Sequence, residues 1–167
     1  MRRVGQWLDK HLWTLPFLAF VITGTSLIAV HYFREKEFFL EAVEAENRKE
    51  IYSSLTGSSS GLLGFALAAV AIMAAFGRRP TSNQVDRSRE NRLADARVGI
   101  SKILLATSVF LMAILVTATV GIGIDDGKAG SFPITTIIVA SSVSSLMGLL
   151  VSGAGLTLSL MERSRGA

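Results

Sequence analysis

Four long stretches of the chain carry no Asp, Glu, Lys or Arg: residues 11–33, 51–77, 103–124 and 129–161. Charged blocks separate them. A membrane-crossing helix needs about 20 predominantly apolar residues, and each stretch meets that length. The first predicts a helix over about 12–33. Arg2, Arg3 and Lys10 precede it, as in a secretory leader. A leader's apolar core is only about 7–15 residues long, so this stretch reads as a retained helix.

Residues 34–50 hold four basic and six acidic side chains and no Gly or Pro. Phe38, Phe39, Ala42 and Val43 recur at helical spacing, and Glu37, Glu41 and Glu44 form a second stripe. The spacing predicts that the first helix continues out of the bilayer as an amphipathic helix to about residue 52. Glu44 and Arg48 are placed for a pair one turn apart. The second span is expected over about 56–76, stopped by Arg78-Arg79-Pro80. Residues 77–102 form a polar connector in which Thr81 or Ser82 can cap a helix leading onward. The third span covers about 103–124. Asp125-Asp126-Gly127-Lys128-Ala129-Gly130 is a tight turn. The fourth span covers about 133–161 and opens at Pro133, a favourable first helical residue. The expected fold class is all-α: one four-helix transmembrane domain over residues 1–167.

Lys and Arg counts orient the chain. The N-terminal segment has three, the central connector seven and the C-terminal tail two, against four and one in the two other loops. Both termini and the connector are therefore expected on the cytoplasmic side. The acidic helix and the Asp-Asp turn are expected outside.

The second and fourth spans run in the same direction, and one slides onto the other by 84 residues. Gly57, Gly61, Gly64, Ala68, Ala71 and Ala75 then fall on Ser141, Ser145, Gly148, Ser152, Gly155 and Ser159. All are small, spaced 4, 3, 4, 3, 4. Small side chains let helix backbones approach closely in lipid, and the period near 3.5 implies a left-handed crossing. A tandem repeat of two helical hairpins would account for the match, as would the general abundance of small residues in membrane helices.

Composition narrows the chemistry. Half of the 167 residues are hydrophobic, 18% are charged and the mean hydropathy is +0.46. There is no cysteine, so disulfides, thiol nucleophiles and thiolate metal sites are excluded. His11 and His31 stand at opposite ends of one apolar run. No metal site and no cofactor are expected. The four spans hold no Asp, Glu, Lys or Arg, which counts against an ion-coupled carrier. No serine there has a His or Lys base at membrane depth, and no phosphate loop or metalloprotease motif is present, so an enzyme is not expected.

Hydroxyls and small residues remain as candidates. Ser58, Ser60, Gly61 and Gly64 in the second span, and Ser141, Ser144, Ser145, Gly148 and Ser152 in the fourth, either pack helices or line a polar path. Asp125 and Asp126 are either a solvated turn or, in a ring of subunits, an acidic outer mouth. Arg78, Arg79, Arg87, Arg89, Arg92 and Arg97 suit contact with anionic lipid or with a partner protein. Trp7, Trp13, Tyr32 and Tyr52 read as anchors at the membrane surface.

The expected partners are the lipid bilayer, further copies of the chain and, in one reading, a second protein; nucleic acid is not expected. The first functional reading is a homo-oligomeric, pore-like or channel-like protein passing small ions along Ser/Gly-lined helices. The alternative is a non-conducting scaffold or sensor subunit that binds a partner through its acidic outer helix or basic connector. In size and layout alone, the chain resembles the small four-helix membrane components of prokaryotic defence systems. The excess of Arg over Lys, 12 to 5, with frequent Ala and Gly, suits a GC-rich prokaryote and its plasma (inner) membrane.

Overall fold

The computed structural model describes residues 12–34, 40, 43–75, 84–125 and 130–164, with backbone alone at 34, 84–93, 158–160 and 162–164. It is all-helical. A short 3-10 turn, Leu12–Thr14, leads into α1, Leu15–Arg34. Then follow α2, Ala45–Ala75, α3, Gln84–Ile124, and α4, Phe132–Ser164. Each has a stretch long and apolar enough to cross a membrane: Leu12–Phe33, Ala45–Ala75, Ala94–Ile124 and Phe132–Thr157. The chain is thus a multi-pass membrane protein in build.

The four expected spans are present, and two boundaries differ. The first helix was expected to run on to about residue 52. It ends at Arg34, and a new helix begins at Ala45, where the Arg48 N–H donates to the Glu44 carbonyl at 2.9 Å. Residues 45–52 therefore open the second helix instead of closing the first. The reason is geometric: a straight helix through residue 52 would carry the chain away from the bilayer it must re-enter. Phe38, Phe39, Glu37 and Glu41 lie outside the described residues. The connector and the third span, for their part, form one continuous helix.

That helix, α3, has 41 residues and spans about 61 Å, twice the roughly 30 Å of a hydrocarbon core. The stretch without charge begins after Lys102. The turns before it make a helical stalk of roughly 28 Å beyond the apolar part.

The lateral order is α2–α3–α4–α1. α3 packs extensively on α2 and α4, and α4 packs on α1 as well. Among the described residues, α2 has no comparable contact with α1 or α4. The arrangement is an open layer, not a closed four-helix ring. α3 is accordingly the most enclosed element, burying Ile100, Ile103, Leu104, Phe110, Leu111 and Ile114. Outward faces carry large apolar groups, including Leu18, Val21, Phe65, Ile72, Val116 and Leu150, as suits contact with lipid.

Candidate functional site

Three features bear on function: a buried charged cluster at one end, a hydroxyl-rich seam inside the protomer, and a matching seam on its outside.

The charged cluster joins α2 to α3. Arg48, in the first turn of α2, is fully buried. Its Nε lies 3.2 Å from Oδ2 of Asp125, the residue that follows α3. Arg48 Nη2 donates to Oδ1 at 3.5 Å, and Nη1 donates to the Val43 carbonyl. Tyr52, one turn further along α2, donates its hydroxyl to Asp125 Oδ2 at 2.7 Å. The ring lies close against Gly121: a Cβ there would come 2.9 Å from Tyr52 Cε2. Leu40, Ala118 and Ile138 close the surroundings.

The electrostatics explain why these two charges need each other. A helix N-terminus carries partial positive charge and a C-terminus partial negative charge. Arg48 sits at the positive end of α2, and Asp125 at the negative end of α3. Each is at the wrong end of its own helix and opposite the right partner. The pair therefore fixes the antiparallel register of α2 against α3, and removing either charge strands the other without water.

Three expectations meet this cluster. Arg48, expected to pair with Glu44, carries its guanidinium inward to Asp125, while Glu44 is exposed. Tyr52, expected as a surface anchor, is fully buried. Asp125, considered as a solvated turn residue or an open acidic mouth, is only 5% exposed and is ion-paired. Asp126 lies outside the described residues. Trp13 and Tyr32, by contrast, are exposed near the two ends of the first span, as anchors would be.

The inner seam belongs to α4. Ser141, Ser144, Ser145 and Ser152 are buried, and Gly148 faces α3 and α1. A Cβ at Gly148 would overlap the Thr107 side chain and lie 3.4 Å from Pro16 Cγ. Only glycine admits both neighbours at that point. Ser144 donates to the Ala140 carbonyl at 2.7 Å, and Ser145 to that of Ser141. Across the interface Thr107 and Ser108 donate to Ile103 and Leu104 at 2.8 and 2.9 Å. These hydroxyls bond their own helices one turn back, which masks their polarity within a tight interface.

The outer seam belongs to α2. The face of α2 that meets α3 carries Arg48, Tyr52, Ser59 and Ala66. Gly57, Gly61, Gly64, Ala68, Ala71 and Ala75 stand two residues out of phase with it, roughly 200° around the helix. All six are exposed. Beyond the helix's own backbone, no atom of the described residues lies within 4 Å of a Cβ at Gly57, Gly61 or Gly64. Ser58 and Ser60 are exposed beside them.

The basic candidates are spread over the opposite end. Arg87, Arg89, Arg92 and Arg97 lie along the stalk of α3, with Arg97 half-buried; Arg78 and Arg79 lie outside the described residues. Sequence reasoning missed the Arg48–Tyr52–Asp125 cluster. A signal existed: in the predicted α2–α3 hairpin, residues 48–52 and 125 fall at the same end.

Compared with known protein families, with curated proteins and with solved structures, the chain matches none.

Proposed function

We propose that the chain is the subunit of a homo-oligomeric, pore-like membrane assembly in the plasma (inner) membrane of a prokaryote, with α2 giving the inter-subunit seam and the wall. The observation that carries this reading is the outward face of α2. It bears a continuous Gly/Ala stripe edged with Ser58 and Ser60 and is exposed, with no neighbour at Gly57, Gly61 or Gly64 among the described residues. In lipid, close backbone approach and hydroxyl bonding between helices supply the attraction that apolar burial supplies in water. A second copy of α2 provides both. Where the stripe of one copy meets a different face of the next α2, repetition of that heterologous contact closes a ring, whereas stripe on stripe stops at a two-fold dimer.

The serines of α4 leave the list of wall candidates, because they are enclosed between α3, α1 and their own helix. A wall of Ser58, Ser60, Gly61 and Gly64 passes small ions without a fixed charge, with the apolar half of α2 as a gate that can dewet. The acidic mouth then rests on Asp126, since Arg48 neutralises Asp125.

The deciding experiment is ion flux from liposomes holding the purified protein, with size and symmetry measured on the same sample. Flux that disappears together with assembly in Gly64→Leu supports the reading. A correctly assembled oligomer that passes no ion overturns it. That result favours the alternative, a scaffold or sensor, for which the long charged stalk of α3 beyond the apolar span is the supporting observation. Orientation is tested separately: a cysteine at Glu44 should label from outside, and one at Arg89 should not.

A further inference from the structure

A groove of about 450 Å³ runs between the start of α1 and the middle of α3, lined by Trp13, Phe17, Lys102, Leu105, Ala106 and Val109. Its origin is the close fit at Gly148. Pro16 is seated against α4 there, and the Leu12–Thr14 turn and the first turn of α1 lean over α3, meeting it through Phe17 on Phe110 and leaving a gap above Leu105 and Val109. The overhanging wall is aromatic and braced. Trp13 meets Phe17 edge-on at 6.2 Å, Phe17 meets Phe110 at 5.1 Å, and Phe20 stacks on Phe110 at 5.4 Å.

The floor is α3. Lys102, Leu105 and Val109 follow one helical face, so the groove extends about 10 Å from the ammonium end to the valine. Leu105 and Val109 are 48% and 59% exposed, which leaves the groove open to the bilayer along its side. Lys102 is exposed, makes no ion pair among the described residues, and is the last charge before the apolar span. The next charge outward on this face, Asp95, is two turns away, about 10 Å along the stalk.

We propose that this groove is a binding site for one phospholipid with an anionic headgroup. An acyl chain lies along Phe17, Leu105 and Val109, and the headgroup phosphate sits at the Lys102 ammonium. Each part has its physical reason. The wall is apolar and rigid, the groove opens sideways into lipid, and a lysine at the edge of the hydrocarbon extends its charge to headgroup level. Trp13 at the same level is the usual companion of such an interface. A zwitterionic headgroup fills the apolar part equally well but brings its own cation beside the phosphate, so net negative charge is the selective element. The site stands apart from the pore reading, because it does not involve the α2 seam or conduction.

The chain has two tryptophans, so Trp7→Phe leaves Trp13 as the only reporter inside the groove. The full chain with this change is reconstituted in phosphatidylcholine bilayers. Quenching of Trp13 by brominated phosphatidylglycerol is compared with quenching by brominated phosphatidylcholine at equal mole fraction. The expected preference for the anionic lipid is about fivefold, the attraction of one basic residue near a charged surface. It should fall to about one in Lys102→Gln and persist in Lys102→Arg. Arg163→Gln removes an equal charge from the same end of the molecule and should leave the preference in place. Equal quenching by the two lipids in the parent protein would overturn the proposal. So would a preference that survives Lys102→Gln, or one lost equally in Arg163→Gln, which would reveal a diffuse surface field in place of a site.

Discussion

The small-residue seams of α2 and α4 match position by position in sequence and have opposite fates in the fold. On α4, Ser141, Ser145, Gly148 and Ser152 are buried against neighbouring helices. On α2, the corresponding Gly57, Gly61, Gly64 and Ala68 are all exposed. A small-residue seam is thus a capacity for close approach, and the rest of the helix decides who approaches. α2 already meets α3 through its other face, fixed by Arg48 and Tyr52, so its seam is turned outward. α4 has no such charged anchor among its described residues and spends its seam inside the protomer.

The strongest way to break this contrast is to release α2 from α3. Arg48→Met leaves the Asp125 carboxylate buried with the Tyr52 hydroxyl as its remaining side-chain partner among the described residues. Breaking a buried ion pair from one side costs about 3–5 kcal/mol. Unfolding in a graded denaturing detergent should show a loss of that order. The double change Arg48→Met with Asp125→Asn should recover more than half of it, because no uncompensated charge remains. A single change that is as mild as the double one would mean that the register of α2 depends on its apolar contacts at Ala66, Leu104 and Ile100 alone.

Next in size is the same substitution made in the two seams. Gly148→Ala pushes a methyl into Thr107 and should cost about 1–3 kcal/mol of protomer stability, as overpacking does. Gly148→Leu should prevent the α3–α4–α1 packing altogether. Position 64 is exposed and a Cβ there meets nothing among the described residues, so Gly64→Leu should leave thermal unfolding within about 0.5 kcal/mol, as surface changes do. It should nevertheless abolish oligomers detected by cross-linking in the membrane. Leu63→Ile, one position off the seam, should leave assembly intact. If Gly64→Leu assembles normally, the seam of α2 is lipid-facing composition and the pore reading loses its wall.

These contrasts also mark what could be read from the sequence. The spans were legible because charge-free runs of about 20 residues have few other uses. The seams were legible because their 4, 3, 4, 3 spacing is a helical periodicity. Periodicity identifies a face of a helix and not its neighbour, so nothing in Gly61 or Ser145 told which would be covered. The Arg48–Asp125 pair was hidden for a related reason: the two residues are 77 positions apart, while Glu44 stands one turn from Arg48 and offers the nearer pairing. The break before Ala45 was missed because residues 34–50 lack Gly and Pro, and the need to reverse direction overrode a helix-compatible sequence.

The smallest expected effects concern single hydroxyls, and they test whether the buried seam is satisfied. Ser141 Oγ is buried and has no hydrogen-bond partner among the described residues, whereas Ser144 donates to Ala140. A buried hydroxyl without a partner costs about 1–3 kcal/mol relative to one that is paired. Ser141→Ala should therefore leave the protomer as stable as before or raise its stability by up to about 1 kcal/mol. Ser144→Ala should be slightly unfavourable by comparison. On α2, Ser60→Ala should leave unfolding unchanged, since the side chain is exposed. In the pore reading it should nonetheless lower ion flux, because it removes a hydroxyl from the wall. A clear destabilisation by Ser141→Ala would reveal a partner for that hydroxyl, such as a trapped water, and the α4 seam would then be a polar interior instead of a dry contact. A flux that ignores Ser60→Ala while responding to Ser141→Ala would exchange the roles of the two seams and place the ion path within the protomer.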